Sequence, residues 1–388
     1  MTSRDFFAGT SRFSAVAAMA GVLLCALGPT DASAATRASG GSPRILSDKA
    51  GKAWKHKESG IALPGRLADA ELVKVTDGTF SESDVFAEYN DAENDITTSV
   101  FVFRAGVPDA SLWLDRTLMP YRLGQGSIGT LDFAKGSITT VTPPGGAADS
   151  GVFAAYPASG KGIVATAAAI LPVDNWLVAI RMSSRRPSAA DLSTRMRTAI
   201  GQIKLPSPKS PDPAAYAIED CADGVAFAEA PRADAGEATG GALLSLVVDG
   251  AVGAGKSKPQ AAAVAPAHFC RDQGGSAMLT PYRRIGAHDG YVVAGGDAGF
   301  TIAVQPSLIT QADPTKPPLY EVKVLTVEKA AVFRGFTAVP TLAQAQTVLR
   351  GERPIGQVGR TPATSGQVSL TGLSATAPGA APAAAGKE

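Results

Sequence analysis

The stretch GIVATAAAILPVDNWLVAIRMS, Gly162 to Ser183, decides how the first half of this chain folds. Its two apolar runs, GIVATAAAIL and NWLVAIRMS, suit buried strands, and Pro172 to Asn175 between them is turn chemistry. A pair of strands joined by a turn is predicted. The same signature recurs upstream, where DVFAEY (Asp84 to Tyr89) and TTSVFVFRA (Thr97 to Ala105) flank DAEND, and the second run alternates through Val100 and Val102. SITTVT (Ser137 to Thr142) and GVFAAYP (Gly151 to Pro157) add strands, and GIALP (Gly60 to Pro64) and ELVKV (Glu71 to Val75) add two short ones.

Helices interrupt this series twice. ASLWLDRTLM (Ala110 to Met119) has Asp109 as its N-cap and carries Leu112, Trp113, Arg116 and Met119 on one face; Pro120 should stop or kink it. SAADLSTRMRTAIGQIKLP has a capping box of Ser188 and Asp191, and Leu192, Met196, Ala199 and Ile200 form its apolar stripe. Strands, helix, strands, helix is the order of an α+β layer built on an antiparallel sheet.

PSPKSPDP (Pro206 to Pro213) cannot lie inside a sheet or a helix and reads as a stiff linker at residues 207–213. It sets the domain boundaries: one α+β domain over 51–206 and a second over 214–350. In the second, YAIEDC, ALLSLVVD, GYVVAGG, FTIAVQ, YEVKVLTVE and AVFRGF read as strands, and LAQAQTVLR (Leu342 to Arg350), capped by Thr341, as a helix. Residues 351–388 are rich in Gly, Pro, Ala, Ser and Thr and are predicted to form a disordered tail. The expected class is α+β, two domains with antiparallel sheets packed against helices.

The N-terminus predicts export. Arg4 and Arg12 precede the apolar run Phe13 to Gly28, and Ala32-Ser33-Ala34 is a small-x-small cleavage site. The run is too short to span a bilayer, which takes about 20 residues. A signal peptide over 1–34 and a flexible leader over 35–50 follow, with a periplasmic or secreted mature chain and no transmembrane segment in it. Two cysteines then remain, Cys221 and Cys270, and an even count in an oxidising compartment predicts one disulfide. Closing that loop contributes about 4 kcal/mol by the chain-entropy relation. A net charge of +1 with 18% charged residues over 388 positions excludes a basic nucleic-acid binder.

Gly250, Gly255, Lys256 and Ser257 match the phosphate-loop spacing G-x-x-x-x-G-K-[ST] after an apparent strand. Pro259 falls inside the first turn of the helix that such a loop needs, and no βαβ alternation surrounds it, so an exposed loop is expected instead. His268 two residues before Cys270 could form a thiol–imidazole pair only if the cysteine were reduced. His56, His268 and His288 show no zinc-type spacing, and DAENDIT (Asp91 to Thr97) lacks calcium-loop spacing, so no metal and no cofactor are expected. Asp297 reads as a turn residue, Arg185-Arg186 as solvated surface, and Trp54, Trp113 and Trp176 as core or rim. No catalytic set is assembled.

SGIALPGRL, the strand and helix order and the closing QIKLP give residues 45–206 a resemblance to the PsbP/Mog1-like α+β domains. That resemblance implies a binding or assembly module with no shared catalytic residues. The whole chain also resembles exported alphaproteobacterial proteins in its signal, Ala-rich tail and composition. The expectation is a non-catalytic envelope protein engaging another envelope protein or a small ligand. The alternative is an enzyme, either a nucleotide binder at Gly250–Ser257 or a hydrolase with dispersed residues.

Overall fold

The hairpin at Gly162–Ser183 lies within the first sheet, and its neighbours follow from strand alternation. The structure is a computed structural model that describes residues 43–225, 227–253, 268–296, 299–361 and 363–371. The signal segment 1–34, Gly255, Lys256, Ser257 and Asp297 lie outside the described residues.

The chain begins with β1 (Arg44–Ser47), the small hairpin β2 (Trp54–Lys55) and β3 (Ala62–Leu63), then β4 (Arg66–Leu67) and β5 (Ala70–Asp77). β6 (Asp84–Asp91), β7 (Ile96–Arg104), helix α1 (Ala110–Arg122), β8 (Thr130–Leu131) and β9 (Ser137–Val141) follow. β10 (Gly151–Gly160), β11 (Ile163–Val173), β12 (Trp176–Ser184) and helix α2 (Ala189–Gln202) complete this half. The sheet order is β1-β5-β6-β7-β12-β11-β10-β8, antiparallel throughout, with β4 on β5 and β9 on β10. The turn between β11 and β12 is only Asp174-Asn175, with Asp174 at φ 52°.

Period-two alternation gives the sheet two apolar faces. Ala167, Ala169, Val178 and Ile180 pack with Leu192, Met196 and Ile200 of α2. Ala168, Ile170, Leu177 and Ala179 pack with Leu112, Trp113 and Leu118 of α1 on the other side. The Ser188–Asp191 capping box is present in both directions.

Two expectations for this half change. The leader is not free up to residue 50, because β1 pairs with β5, Leu46 reaches the core, and Arg44 meets Asp77 at 3.0 Å. Helix α1 also continues through Pro120 to Arg122. The proline sits in its last turn, where losing one amide donor is tolerated, and Leu123 closes the end by donating to the Met119 carbonyl.

The second half comprises helix α3 (Ala235–Gly253), β13 (Phe269–Arg271), β14 (Leu279–Arg284), β15 (Tyr291–Gly295), β16 (Phe300–Pro306) and the short helix α4 (Leu308–Ala312). Then come β17 (Tyr320–Leu325), β18 (Lys329–Phe336), helix α5 (Leu342–Gly351), β19 (Gly356–Gly359) and β20 (Val368–Leu370). β13 to β20 form an antiparallel meander in sequence order. One face packs α5 through Ala345 and Val348, and the other packs α3 through Ala242 and Leu246.

Three expectations fail here. ALLSLVVD is not a strand; it lies inside α3. YAIEDC is extended but joins only by an isolated bridge at Asp220. The segment from 351 is not uniformly tail: β19 and β20 extend the sheet, and Thr371 N–H donates to the Ile355 carbonyl at 3.0 Å. Residues 372–388 lie outside the described residues.

Antiparallel sheets packed against helices therefore hold, in a chain richer in sheet than an even α+β mixture. The division at 207–213 does not reappear as a division of the structure. The described residues fall in one compact unit, and a single core joins Phe103, Leu112 and Trp113 to Phe269, Tyr282 and Ala294. Arg360 clasps the two sheets from the far end. Its guanidinium donates to the carbonyls of Ala105 (2.7 Å) and Thr326 (2.6 Å), and Arg104 donates to the Arg360 carbonyl. Burial, with Arg104 adjacent, pulls the Arg360 guanidinium down to about 10.

Candidate functional site

The two halves meet where α1, the segment after the proline stretch and β13–β14 converge. Tyr216 anchors the segment: its N–H donates to Ser111 Oγ at 2.8 Å, and its hydroxyl accepts from Phe269 N–H at 2.6 Å. Its ring stacks on His268 at 4.2 Å. Ile218 is buried beneath α1. From there Cys221 N–H donates to the Arg271 carbonyl (2.9 Å) and Arg271 N–H to the Glu219 carbonyl (2.8 Å), so the segment runs parallel to β13. Cys221 and Cys270 are disulfide-bonded, with Cα atoms 4.9 Å apart. The predicted pairing of the two cysteines is thus present.

Alternation along β13 and β14 sends two kinds of charge to two sides. Arg271 and Tyr282 are register partners, and both reach Asp115 of α1. Arg271 Nη1 lies 2.6 Å from one Asp115 oxygen, and the Tyr282 hydroxyl donates to the other at 3.0 Å. Burial pushes the Asp115 carboxyl up, and Arg271 pulls it back. Burial also pushes the Tyr282 phenol well above its ordinary range. The remaining side of Arg271 meets the exposed Asp220 at 2.7 Å.

Cys270 and Arg283 are the partners facing the other way. The Arg283 side chain is fully buried, yet it is saturated by Asp223 (3.1 Å), Asp272 (3.2 Å) and the Ala287 carbonyl (2.9 Å). A buried arginine left without such partners would cost several kcal/mol, on the order of 3–5.

Between these groups lies a cavity of about 300 Å³. Met119 and Leu123 of α1 form one side, Asp220, Cys221 and Gly224 another, and the β13–β14 loop with Gln273, Gly274 and Gly275 a third. The loop needs its glycines. Gly274 has φ +81°, and a Cβ on Gly275 would approach Pro281 Cδ to 2.7 Å. Chemically, the site offers apolar surface at Met119 and Leu123, polar loop atoms and an exposed carboxylate at Asp220. The buried acid Asp115 lies behind Arg271, outside this lining, and has both oxygens engaged.

The other predicted residues fall elsewhere. Gly250 is in α3, so the strand that a phosphate loop requires is a helix. His268 has no thiolate partner, because Cys270 is oxidised. Asp91 caps its own turn through Asn94 N–H and meets Arg195 at 3.2 Å, while Asp95 meets Arg185 at 3.5 Å. The acidic turn is thus neutralised by arginines, Arg185 included, and among the described residues no metal-holding group of His, Cys, Asp or Glu occurs. Trp113 and Trp176 are buried, and Trp54 is half-buried.

Two arrangements escaped sequence reasoning. His56 Nδ1 lies 2.6 Å from Ser59 Oγ, and Nε2 lies 2.9 Å from the Glu82 carbonyl, a nucleophile–base–orienter pattern. Ile61 N–H also donates to that Ser59 oxygen (3.2 Å), and the imidazole, lowered by burial, is fully enclosed; the pair staples a turn. The cavity itself was hinted at only by charged residues beside each cysteine, Asp220 and Arg271-Asp272, and by the Gly-Gly pair that follows.

Comparison of the chain with protein-family models, with curated proteins and with solved structures finds no match.

Proposed function

We propose that this is a non-catalytic exported protein that binds a small ligand or an envelope partner at the cavity between α1, Asp220–Gly224 and the β13–β14 loop. The observation that carries the reading is the combination of a ligand-sized cavity with saturated charges around it. Catalysis needs a group with a free lone pair or proton aimed at a substrate. Here the buried Asp115 is engaged by Arg271 and Tyr282, and the buried Arg283 by Asp223 and Asp272. Export with cleavage after Ala34 is supported by the N-terminal signal pattern and agrees with the bonded cysteine pair. A PsbP/Mog1-like reading of the first half rests on the sequence features SGIALPGRL and QIKLP and on the order of strands and helices.

The test is NMR of the mature protein with methyl labels at Met119 and Leu123, titrated with amino acids, short peptides and sugars. Saturable shifts confined to these methyls are expected with at least one class, and Leu123→Trp, which fills the cavity from an exposed position, should abolish them. Turnover of an ester or phosphodiester panel that disappears in Asp115→Asn would instead establish the enzyme alternative.

A further inference from the structure

The cavity wall from Glu219 to Gly224 is fixed at both ends and fastened in the middle. Ile218 is buried at its start, and Phe227 packs against the α5 face of the second sheet beyond its end. Between them the chain is fastened to β13–β14 by two backbone hydrogen bonds at Glu219 and Cys221, by the pairs of Asp220 with Arg271 and of Asp223 with Arg283, and by the disulfide. The carboxylates of the two ionic fastenings are 80% and 52% exposed. The Asp220 pair, with its carboxylate in solvent, holds by about 0–1 kcal/mol and weakens with salt, whereas the Asp223 pair serves the fully buried Arg283 and holds the far end of the wall. The disulfide is the covalent clamp at the middle of this wall, beside its weakest ion pair.

We propose that the Cys221–Cys270 bond is a redox latch, and that its reduction by a dithiol opens the wall of the cavity without unfolding the sheet behind it. This rests on the cavity being the binding site. The geometry favours attack at Cys221. That residue lines the cavity and is half-buried, whereas Cys270 is 6% exposed on the strand. A thiolate of the reductant bonds to Cys221 Sγ, the Sγ–Sγ bond breaks, and Cys270 leaves as thiolate and takes up a proton. The second thiol of the reductant displaces Cys221, which is protonated in turn. The protein gains two electrons and two protons, and the reductant becomes a disulfide. The leaving group has a place prepared: Cys270 Sγ lies 3.5 Å from the Arg283 carbonyl oxygen, an acceptor for the new thiol. β13 stays in the sheet through its pairing with β14 and through Tyr216, which Phe269 N–H contacts.

Hydrogen exchange on the mature protein, oxidised and then reduced with dithiothreitol, decides the matter, and it needs no ligand. Exchange in peptides covering Cys221 and Arg271 is expected to rise at least tenfold on reduction, and further with added salt, while β15 to β18 keep their rates. Unchanged exchange at Cys221 would mean that the backbone hydrogen bonds and ion pairs suffice and that there is no latch. Simultaneous loss of protection across β15 to β18 would make the disulfide a strut for the whole sheet. Either result overturns the proposal. C221S/C270S should reproduce the reduced pattern without reductant. If that variant does not fold, the measurement on the reduced natural chain still stands. Absence of any ligand in the NMR titration would refute the binding site and leave the exchange result as it is.

Discussion

The two sides of the first sheet are closed by different means. Towards α2 the interface is built mainly from Ala, Val, Ile, Leu and Met with a few aromatic rings, and it depends chiefly on volume and pattern. An ion pair of Arg195 with Asp91 lies beside it. Towards the second sheet the interface also buries Asp115 and Arg116, together with Tyr282. Apolar packing tolerates replacement of like by like. A buried ionic network depends on every member, because each desolvated charge relies on specific partners. The first interface makes the fold. The second fixes one relative placement of the sheets, and the cavity lies against it.

The sharpest way to break this contrast is Asp115→Ala. It leaves the Tyr282 hydroxyl without its acceptor and Arg271 with only the exposed Asp220. The loss expected in urea unfolding is on the order of 3–5 kcal/mol, as for other buried pairs broken on one side. Reduction of the disulfide should also accelerate, since Arg271 helps to hold Asp220. A loss below about 1 kcal/mol would show the network to be ornamental, no better than a surface pair.

On the α2 side, Leu192→Ala removes a fully buried side chain and should cost about 3 kcal/mol. The distinguishing feature is what stays the same. Exchange at Cys221 and the rate of disulfide reduction should match the parent, because no charge of the junction is touched. If Leu192→Ala accelerates reduction as much as Asp115→Ala does, the two interfaces are not separable.

The same contrast explains what the sequence could reveal. In the first sheet, strands such as TTSVFVFRA carry large β-branched and aromatic residues in alternation, and α2 carries its stripe and capping box, so local pattern and tertiary role agree. Helix α3 inverts that logic. Apart from Leu246, its inner face is small, with Gly241, Ala242 and Ser245 against the sheet, and a Cβ on Gly241 would approach Leu319 Cδ2 to 2.8 Å. Its larger residues Leu244, Val247 and Val248 are exposed. The stretch is apolar on all sides, has no helical period to read, and resembles a buried strand. β19 and β20 were illegible for a different reason: GQVG and VSL are strands only because β18 offers an edge to pair with. The disulfide was legible from cysteine number alone. The Asp115–Arg271–Asp220 chain was not, since its members are 156 and 51 residues apart.

The proline stretch between the sheets offers the finest test, because it belongs to neither interface. It packs against the β11–β12 turn: Lys209 N–H donates to Asp174 Oδ1 at 2.8 Å, and Pro172, Pro206, Pro208 and Asp212 line a recess of about 10 Å³. Burial, and then the neighbouring Asp174, push the Asp212 carboxyl up to about 6. An acid whose folded value is raised prefers its neutral form in the fold. Stability is therefore greatest below the unfolded value, about 4, and falls as pH rises through 6. Asp212→Asn keeps the shape and removes the ionisation. Its melting temperature should coincide with the parent's at pH 4 and exceed it above pH 6, by the equivalent of about 1 kcal/mol once solvent screening of this half-exposed group is allowed for. An offset that is constant from pH 4 to 8 would mean that the asparagine changes packing and not charge. A parent curve that is flat over this range would mean that the stretch is not seated against the turn, which would return it to the role of a free linker.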